Sequence, residues 1–331
     1  MRSCLTGIKM TRKSHDHMVE EILALIDSDK LTLPTIPEVA IKLQGMIDNP
    51  NVSANEIVQV LSSSAAATAH LIKSANSAIY GGMPYVEDVQ SAVSRLGYKV
   101  MYSIVLSFTM ANVLHARNPL IKRHMEEFLA HSREVAAVSY VLSTQQNLNP
   151  DRSMLAGLVH DIGTIPLCMF FEQNVASIDE ETIEILLRKF QITVGEKLLK
   201  NWNFKPYAVN VVTEHNLLQR DSSNPPSADY TDIVTVAHLL SNPYAKFTDW
   251  SKVSAAKRMG LGQEDCRTFQ DQFSDQLNRA REMLGISIEK KPPNRQEQVL
   301  SIPASPMVMQ HAKVRQGSRS CFGKYFGFLA K

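Results

Sequence analysis

The 331-residue chain lacks several things, and each absence narrows what it can be. It has four cysteines, Cys4, Cys168, Cys266 and Cys321, widely spaced and never in a C-x-x-C pair. Nothing in that spacing suggests a disulfide framework. The N-terminal stretch MRSCLTGIKMTRKSHDHMVEE has no continuous apolar run of signal-peptide length. No uninterrupted apolar run approaches the roughly 18–20 residues of a spanning helix, so no membrane partner is expected. Charge of one sign is also missing. A formal net charge of +2 gives the whole molecule no strong preference for nucleic acid or a membrane surface. These readings together place the protein in the cytoplasm. Strands are missing as well, because no segment alternates apolar and polar residues convincingly.

What is present is helical periodicity. Residues 1–20 read as a polar, flexible N-terminus with a short helix starting at Val19. Pro34 and Pro37 make an extended, stiff segment. Val39, Leu43, Met46 and Ile47 mark a helix that stops before Asn49-Pro50. Ser53-Ala-Asn-Glu56 has the capping-box pattern, with Ile57, Val60 and Leu61 continuing it. An Ala-rich helix over 64–76 follows. Asn76-Ser-Ala-Ile-Tyr80-Gly81 then breaks the pattern. Asn76 can cap a helix end there, or the turn can face a partner. Arg95 has Asp88 and Glu87 as candidate ion-pair partners. Further helices are expected over 88–96, 100–114, 119–144, 180–190, 194–202, 206–217, 233–240 and 264–284. The fold class is therefore all-α, with helices packed around one or two adjoining cores. Beyond Lys290 the composition turns Pro-rich and aperiodic. Eight basic residues face one acidic residue over 290–331, leaving the rest of the chain net negative. This tail reads as disordered. It closes on the aromatic cluster Phe322, Tyr325, Phe326 and Phe328, which could dock a partner or pack back onto the body.

The stretch Met154–Pro166 organises the rest. Met154, Leu155, Leu158, Val159 and Ile162 recur at helical spacing, and the run ends in His160-Asp161 with Gly163 placed to stop it. An Asp in the last helical turn opposes the helix dipole. Either His160 and Asp161 grip a cation, or Asp161 accepts backbone N–H groups in a turn; on residue types alone the turn is the more ordinary choice. Three other histidines sit on apolar faces. His131 has Val135, Val138 and Leu142 at i+4, i+7 and i+11. His215 has Val211 and Val212 at i−4 and i−3. His238 borders the stripe of Ile233, Val236, Ala237 and Leu240. A single buried histidine is usually a satisfied core residue. Several histidines and an Asp on separate core-facing helices suit a divalent metal: iron, manganese or zinc, with magnesium as a further candidate.

The order His131, then His160-Asp161, then an apolar helix resembles the H…HD…D pattern of the HD superfamily of metal-dependent phosphohydrolases. HSREVAAVSYV looks like their first-histidine helix and AGLVHDIGTIPL like their second. The upstream half narrows the match. Its P-x-x-P segment, its ANSA-x-YG turn and its A-x-x-RLG segment resemble the HD-related output domain, HDOD, over roughly 31–240. The resemblance implies an all-helical domain over 21–245, a helical extension over 246–289 and a regulatory, signal-transducing role in bacteria. It implies metal ligands at His131, His160 and Asp161, with His238 and His215 as additional candidates. The chain departs from the hydrolase pattern where Ala237-His238-Leu239-Leu240 stands in place of an A-D-x-L context. A Gly-Tyr-Pro signature of cyclic-di-GMP hydrolysis is absent after His215, where the chain reads NLLQRDSSNPP. The leading expectation is thus a regulatory module that binds signalling proteins or a small-molecule signal, leaning away from catalysis. The alternative is a phosphohydrolase acting on a nucleotide or phosphoester. Nucleic-acid binding through the basic tail ranks last, because the tail carries no folded motif.

Overall fold

A computed structural model describes residues 12–286, apart from 29–37, 48, 50, 78–79, 81, 114–115, 175–177, 222–226 and 243–244. The Pro34–Pro37 segment, Gly81, the N-terminus to residue 11, and the tail with its aromatic cluster lie outside the described residues. No strand occurs among those described.

The first half packs α1 (Arg12–Asp27), α2 (Glu38–Met46), α3 (Ala54–Ser62), α4 (Ala65–Ala75), α5 (Val89–Leu96) and α6 (Tyr98–Val113). The capping box forms as the sequence suggests: Ser53 N–H donates to Glu56 Oε2 at 2.8 Å, and Glu56 N–H donates to Ser53 Oγ at 3.3 Å. Asn76 does more than cap. Its Nδ2 donates to Ile72 O and to Val86 O, and its Oδ1 accepts from Val86 N–H at 2.9 Å. One amide side chain thus ties the end of α4 to the backbone of Val86. Neither candidate ion pair of Arg95 forms. Asp88 is occupied capping α5 through Ser91 N–H, so the Arg95 guanidinium turns to the carbonyls of Ala75 and Pro84.

The second half is built on α7 (Pro119–Thr144) and α8 (Pro150–Val159), which lie against each other along their length. The close approach requires Gly157. A Cβ there would sit 2.8 Å from Ser139 Oγ and 2.9 Å from the Ala136 Cα. Then come α9 (Thr164–Asn174), α10 (Glu180–Asn201), α11 (Pro206–Glu214) and α12 (Tyr230–Leu240), followed by the short α13 (Ser254–Arg258), α14 (Gln263–Gln272) and α15 (Ser274–Met283). Two expectations about these elements fail. The break placed between Phe190 and Val194 does not exist, because Gln191 and Val194 are simply buried positions of one continuous helix. The single final helix is two, parted at Phe273. Helix α9 was not anticipated at all.

Two apolar clusters hold the body together. The larger runs from Val39 to Leu284 and includes Trp250, Phe269 and Leu277 from the expected extension, so 246–284 is packed into the main core. The smaller joins Met18 and Ile22 of α1 to α7, α9 and α10. One segment, Pro150–Gln173, is long and apolar enough to cross a membrane by length and composition. Of its most apolar 18-residue window 89% is buried inside the protein, and the turn after Val159 divides the segment.

Candidate metal centre

Helix α8 delivers His160 at its C-cap, and the chain turns through Asp161, Ile162 and Gly163 before α9 begins. Gly163 was expected to stop the helix by its backbone freedom, but it is not among the positive-φ glycines. It is required for contact instead. A Cβ at Gly163 would lie 1.9 Å from Gln191 O and 2.7 Å from Gly195 N, because α10 crosses directly over the turn. Helix α7 contributes His131, α11 ends on His215, and α12 carries His238 in its last turn.

Four imidazoles and one carboxylate converge. His131 Nε2 and His160 Nε2 each lie 3.1 Å from His238 Nδ1. Asp161 Oδ2 lies 3.3 Å from His160 Nε2, and Oδ1 lies 3.3 Å from His215 Nε2. Ring centroids are 4.9 to 5.3 Å apart across the cluster. The donor atoms of His131, His160, Asp161 and His238 all fall within 4.8 Å of one another. The His160 and His215 side chains are fully buried, His238 and His131 keep 6% and 9% exposure, and the Asp161 side chain is the most open at 15%.

The tautomers decide what such a cluster can hold. His160 Nδ1–H donates to Gly157 O at 2.8 Å, and His215 Nδ1–H donates to Val211 O at 2.9 Å. A carbonyl can only accept, so each neutral ring presents a bare lone pair at Nε2. Both lone pairs face the carboxylate of Asp161, which repels them unless a positive charge lies between. Imidazoles that spend Nδ1–H on a carbonyl and aim Nε2 inward are arranged as metal-ligating histidines are. The spacing also fits. Ligands at roughly 2.0–2.2 Å from an ion stand about 3.0–3.6 Å from their neighbours, as these do. The residues therefore suit a divalent ion, with His131, His160, Asp161 and His238 as the groups that would hold it and His215 set against Asp161 Oδ1.

Burial, with the nearby His160, pushes His131 down to about 3, and burial with His131 pushes His238 well below its ordinary value. Burial alone would raise Asp161, but positive charge on the His160 ring and N–H donation from His160 and His215 outweigh it and hold the carboxyl well below the usual range; in the metal-free protein a proton takes the place between rings and carboxylate that an ion would otherwise fill. Asp161 thus stays ionised and His131 and His238 stay neutral, which are the forms that bind metal. The turn reading of Asp161 does not describe the structure, since its carboxylate faces rings and not backbone N–H groups.

A charged clamp was not read from the sequence. Asp232, with its side chain 1% exposed, accepts from Arg258 Nε at 2.8 Å and from Arg220 Nη2 at 2.8 Å. Arg220 also pairs with Glu214 and Asp229. The clamp ties the end of α11 to the start of α12, and so holds His215 near His238. Its residues lie up to 44 positions apart in sequence, from Glu214 to Arg258, and carried no local signal.

A profile of the HDOD domain matches residues 33–218, which is more than half the chain. The chain belongs to the HDOD domain family. A Shewanella amazonensis protein, provisionally described as a metal-dependent phosphohydrolase, has the same fold at a TM-score of 0.67 and 26% identity. That match covers 82% of this chain and 99% of the other. An HDOD protein of unknown function from Geobacter sulfurreducens superposes at 0.58 with 20% identity, over 80% of this chain and 99% of its own. A signal transduction protein, so described provisionally, from Marinobacter aquaeolei superposes at 0.53 with 18% identity, over 85% and 67%. An uncharacterised Treponema pallidum protein is 22% identical over 196 residues, 56% of this HDOD chain but only 38% of that relative's length.

Proposed function

We propose that this HDOD protein is a regulatory module that works by binding a partner or signal, and that its His/Asp cluster holds one divalent ion as a structural centre without hydrolysing phosphoesters. The enclosure of the donor set carries this reading. Catalytic metal sites keep a coordination position open for water or substrate, whereas structural sites are closed by protein ligands. Here four donor groups converge, and all of them but Asp161 are buried. A neutral imidazole, His238, stands where the hydrolase pattern has a carboxylate. Among the described residues the centre then has a single anionic ligand, Asp161, and no second carboxylate to orient a water or share a second ion. A bound ion would polarise whatever oxygen reached it. The protein's own part is to fix the rings through Gly157 O and Val211 O and to keep Asp161 ionised. The Marinobacter relative's description as a signal transduction protein is in line with this reading.

A metal-dependent phosphohydrolase is the second reading, favoured by the metal-compatible cluster and by the description of the Shewanella relative. The two separate in one assay. Wild type and His238→Asp are incubated with nucleotide and phosphoester substrates in manganese or iron. The regulatory reading predicts no turnover by wild type. Robust wild-type turnover that disappears in His160→Ala and Asp161→Ala would establish the enzyme instead.

A further inference from the structure

A cavity of about 370 Å³, lined by none of the His/Asp cluster, opens between the first half of the chain and the second. Its size falls within the range of small-molecule sites, roughly 300–1,000 Å³. Helix α2 and the start of α6 form one wall. The N-terminal turn of α8 and the tight turn between α10 and α11 form the other. That turn is rigid. Asn203 takes a positive φ of 53°, Phe204 N–H donates to Leu199 O at 2.9 Å, and Gln44 Nε2 bridges from α2 to Trp202 O at 2.7 Å.

Three features of the lining converge on one ligand chemistry. Lys99, Arg152 and Lys205 bring three cations against one carboxylate, Asp151. Trp202 and Tyr207 supply flat aromatic surface, and the Arg152 guanidinium already lies over the Tyr207 ring at 5.9 Å. Tyr102 also lines the cavity. Its side chain is fully buried, and its hydroxyl has no hydrogen-bond partner. A buried O–H without an acceptor is costly, so one that persists beside a cation-rich cavity calls for an acceptor from the ligand.

We propose that this cleft binds a small organic anion that carries one planar ring, with the anionic group on Lys99, Arg152 and the Tyr102 hydroxyl and the ring against Trp202 and Tyr207. It names the class of signal for the regulatory module and rests on that reading in one respect: the ligand is sensed, not consumed. The cavity also spans the two halves, so an occupant would brace α2 and α6 against α8, the helix whose far end presents His160.

The chemistry has two sources, a nucleoside monophosphate or an aromatic carboxylate. The full-length protein is titrated calorimetrically with AMP, indole-3-acetate, inorganic phosphate and adenosine. One of the two ring-bearing anions should bind saturably at a single site, and which one identifies the source. Phosphate and adenosine should each bind at least tenfold more weakly. Arg152→Ala, at an exposed position, should weaken binding at least tenfold. Tyr102→Phe should weaken it at least threefold without lowering the thermal transition, because that hydroxyl bonds nothing in the ligand-free protein. Failure of both ring-bearing anions to bind overturns the proposal. So does binding that both variants retain, phosphate binding as tight as the ringed anions, or hydrolysis of the bound AMP. A metal-free wild type, or phosphoester turnover that does not involve this cleft, would defeat the structural-centre reading and leave these binding results standing.

Discussion

At the scale of single residues, the centre depends on side chains that the sequence exposes and on backbone that it hides. His131, His160, Asp161 and His215 stood out because a titratable group on an apolar helical face is unusual. His238 was legible as the substitution in an expected pattern. The hydrogen bonds to Gly157 O and Val211 O were not legible, since the rotation of an imidazole depends on its surroundings. Gly163 was misread for the same reason. Its neighbour Gln191 lies 28 positions away, so its role looked local when it is one of contact. Gly163→Ala should therefore destabilise the fold by about 3 kcal/mol or more, in the range of severe overpacking. A thermal transition within a degree or two of wild type would show that α10 does not press on the turn.

The depressed His131 and His238 also set a pH dependence for the metal-free protein. For His131, between the ordinary histidine range near 6.5 and about 3, the unfolded chain binds a proton that the folded ring refuses, and buried His238 acts in the same direction. Stability is then fully present above about pH 6.5 and falls as pH drops, by up to ~1.4 kcal/mol per pH unit for each ring. Chemical denaturation between pH 7 and 4.5 should show a shallower slope for His131→Gln than for wild type. Equal slopes would mean that His131 protonates freely in the folded state.

At the scale of elements, periodicity carried the reading where a helix has one buried face and failed where it has more. Helix α7 matches its expected bounds because Asn118-Pro119 starts it and its apolar spacing runs unbroken. Helix α9 was missed because Thr164–Asn174 is apolar on most sides and offers no stripe. Helix α10 was split because the polar Gln191 interrupts its apolar face, although Gln191 itself is buried under the turn at Gly163. The connection from α11 to α12 depends on the Arg220–Asp232–Arg258 clamp. Arg220→Ala removes one partner of a buried carboxylate, and such losses cost about 3–5 kcal/mol when nothing replaces the charge. Arg258 still pairs with Asp232, so the expected loss is about 2–3 kcal/mol, with metal affinity falling because His215 and His238 lose their common support. An unchanged metal affinity in a measurably destabilised variant would separate the clamp from the centre.

At the scale of the whole molecule, the all-helical architecture followed from the absence of alternation and the abundance of capped, amphipathic segments. The apolar clusters unite residues from α2 to α15, so the segment expected as an extension contributes to the main core. Arg281 secures it further by pairing with Glu134, one turn from His131 on α7. The basic tail shows no periodicity and holds one acidic residue among eight basic ones. Truncation at Lys290 should leave the thermal transition within about 2 °C of the full chain, because surface segments without packing contribute little. A large drop would mean that the aromatic residues near the C-terminus pack into the body.

Metal content of the purified protein tests the central claim most directly. Elemental analysis of the full chain, expressed with iron, manganese and zinc supplied, should find close to one divalent ion per chain in wild type. His160→Ala and Asp161→Ala should lose it, since each removes a direct ligand from the centre. A folded wild type that carries no metal under these conditions would contradict the account, and the cluster of rings around Asp161 would then owe its positive charge to a proton.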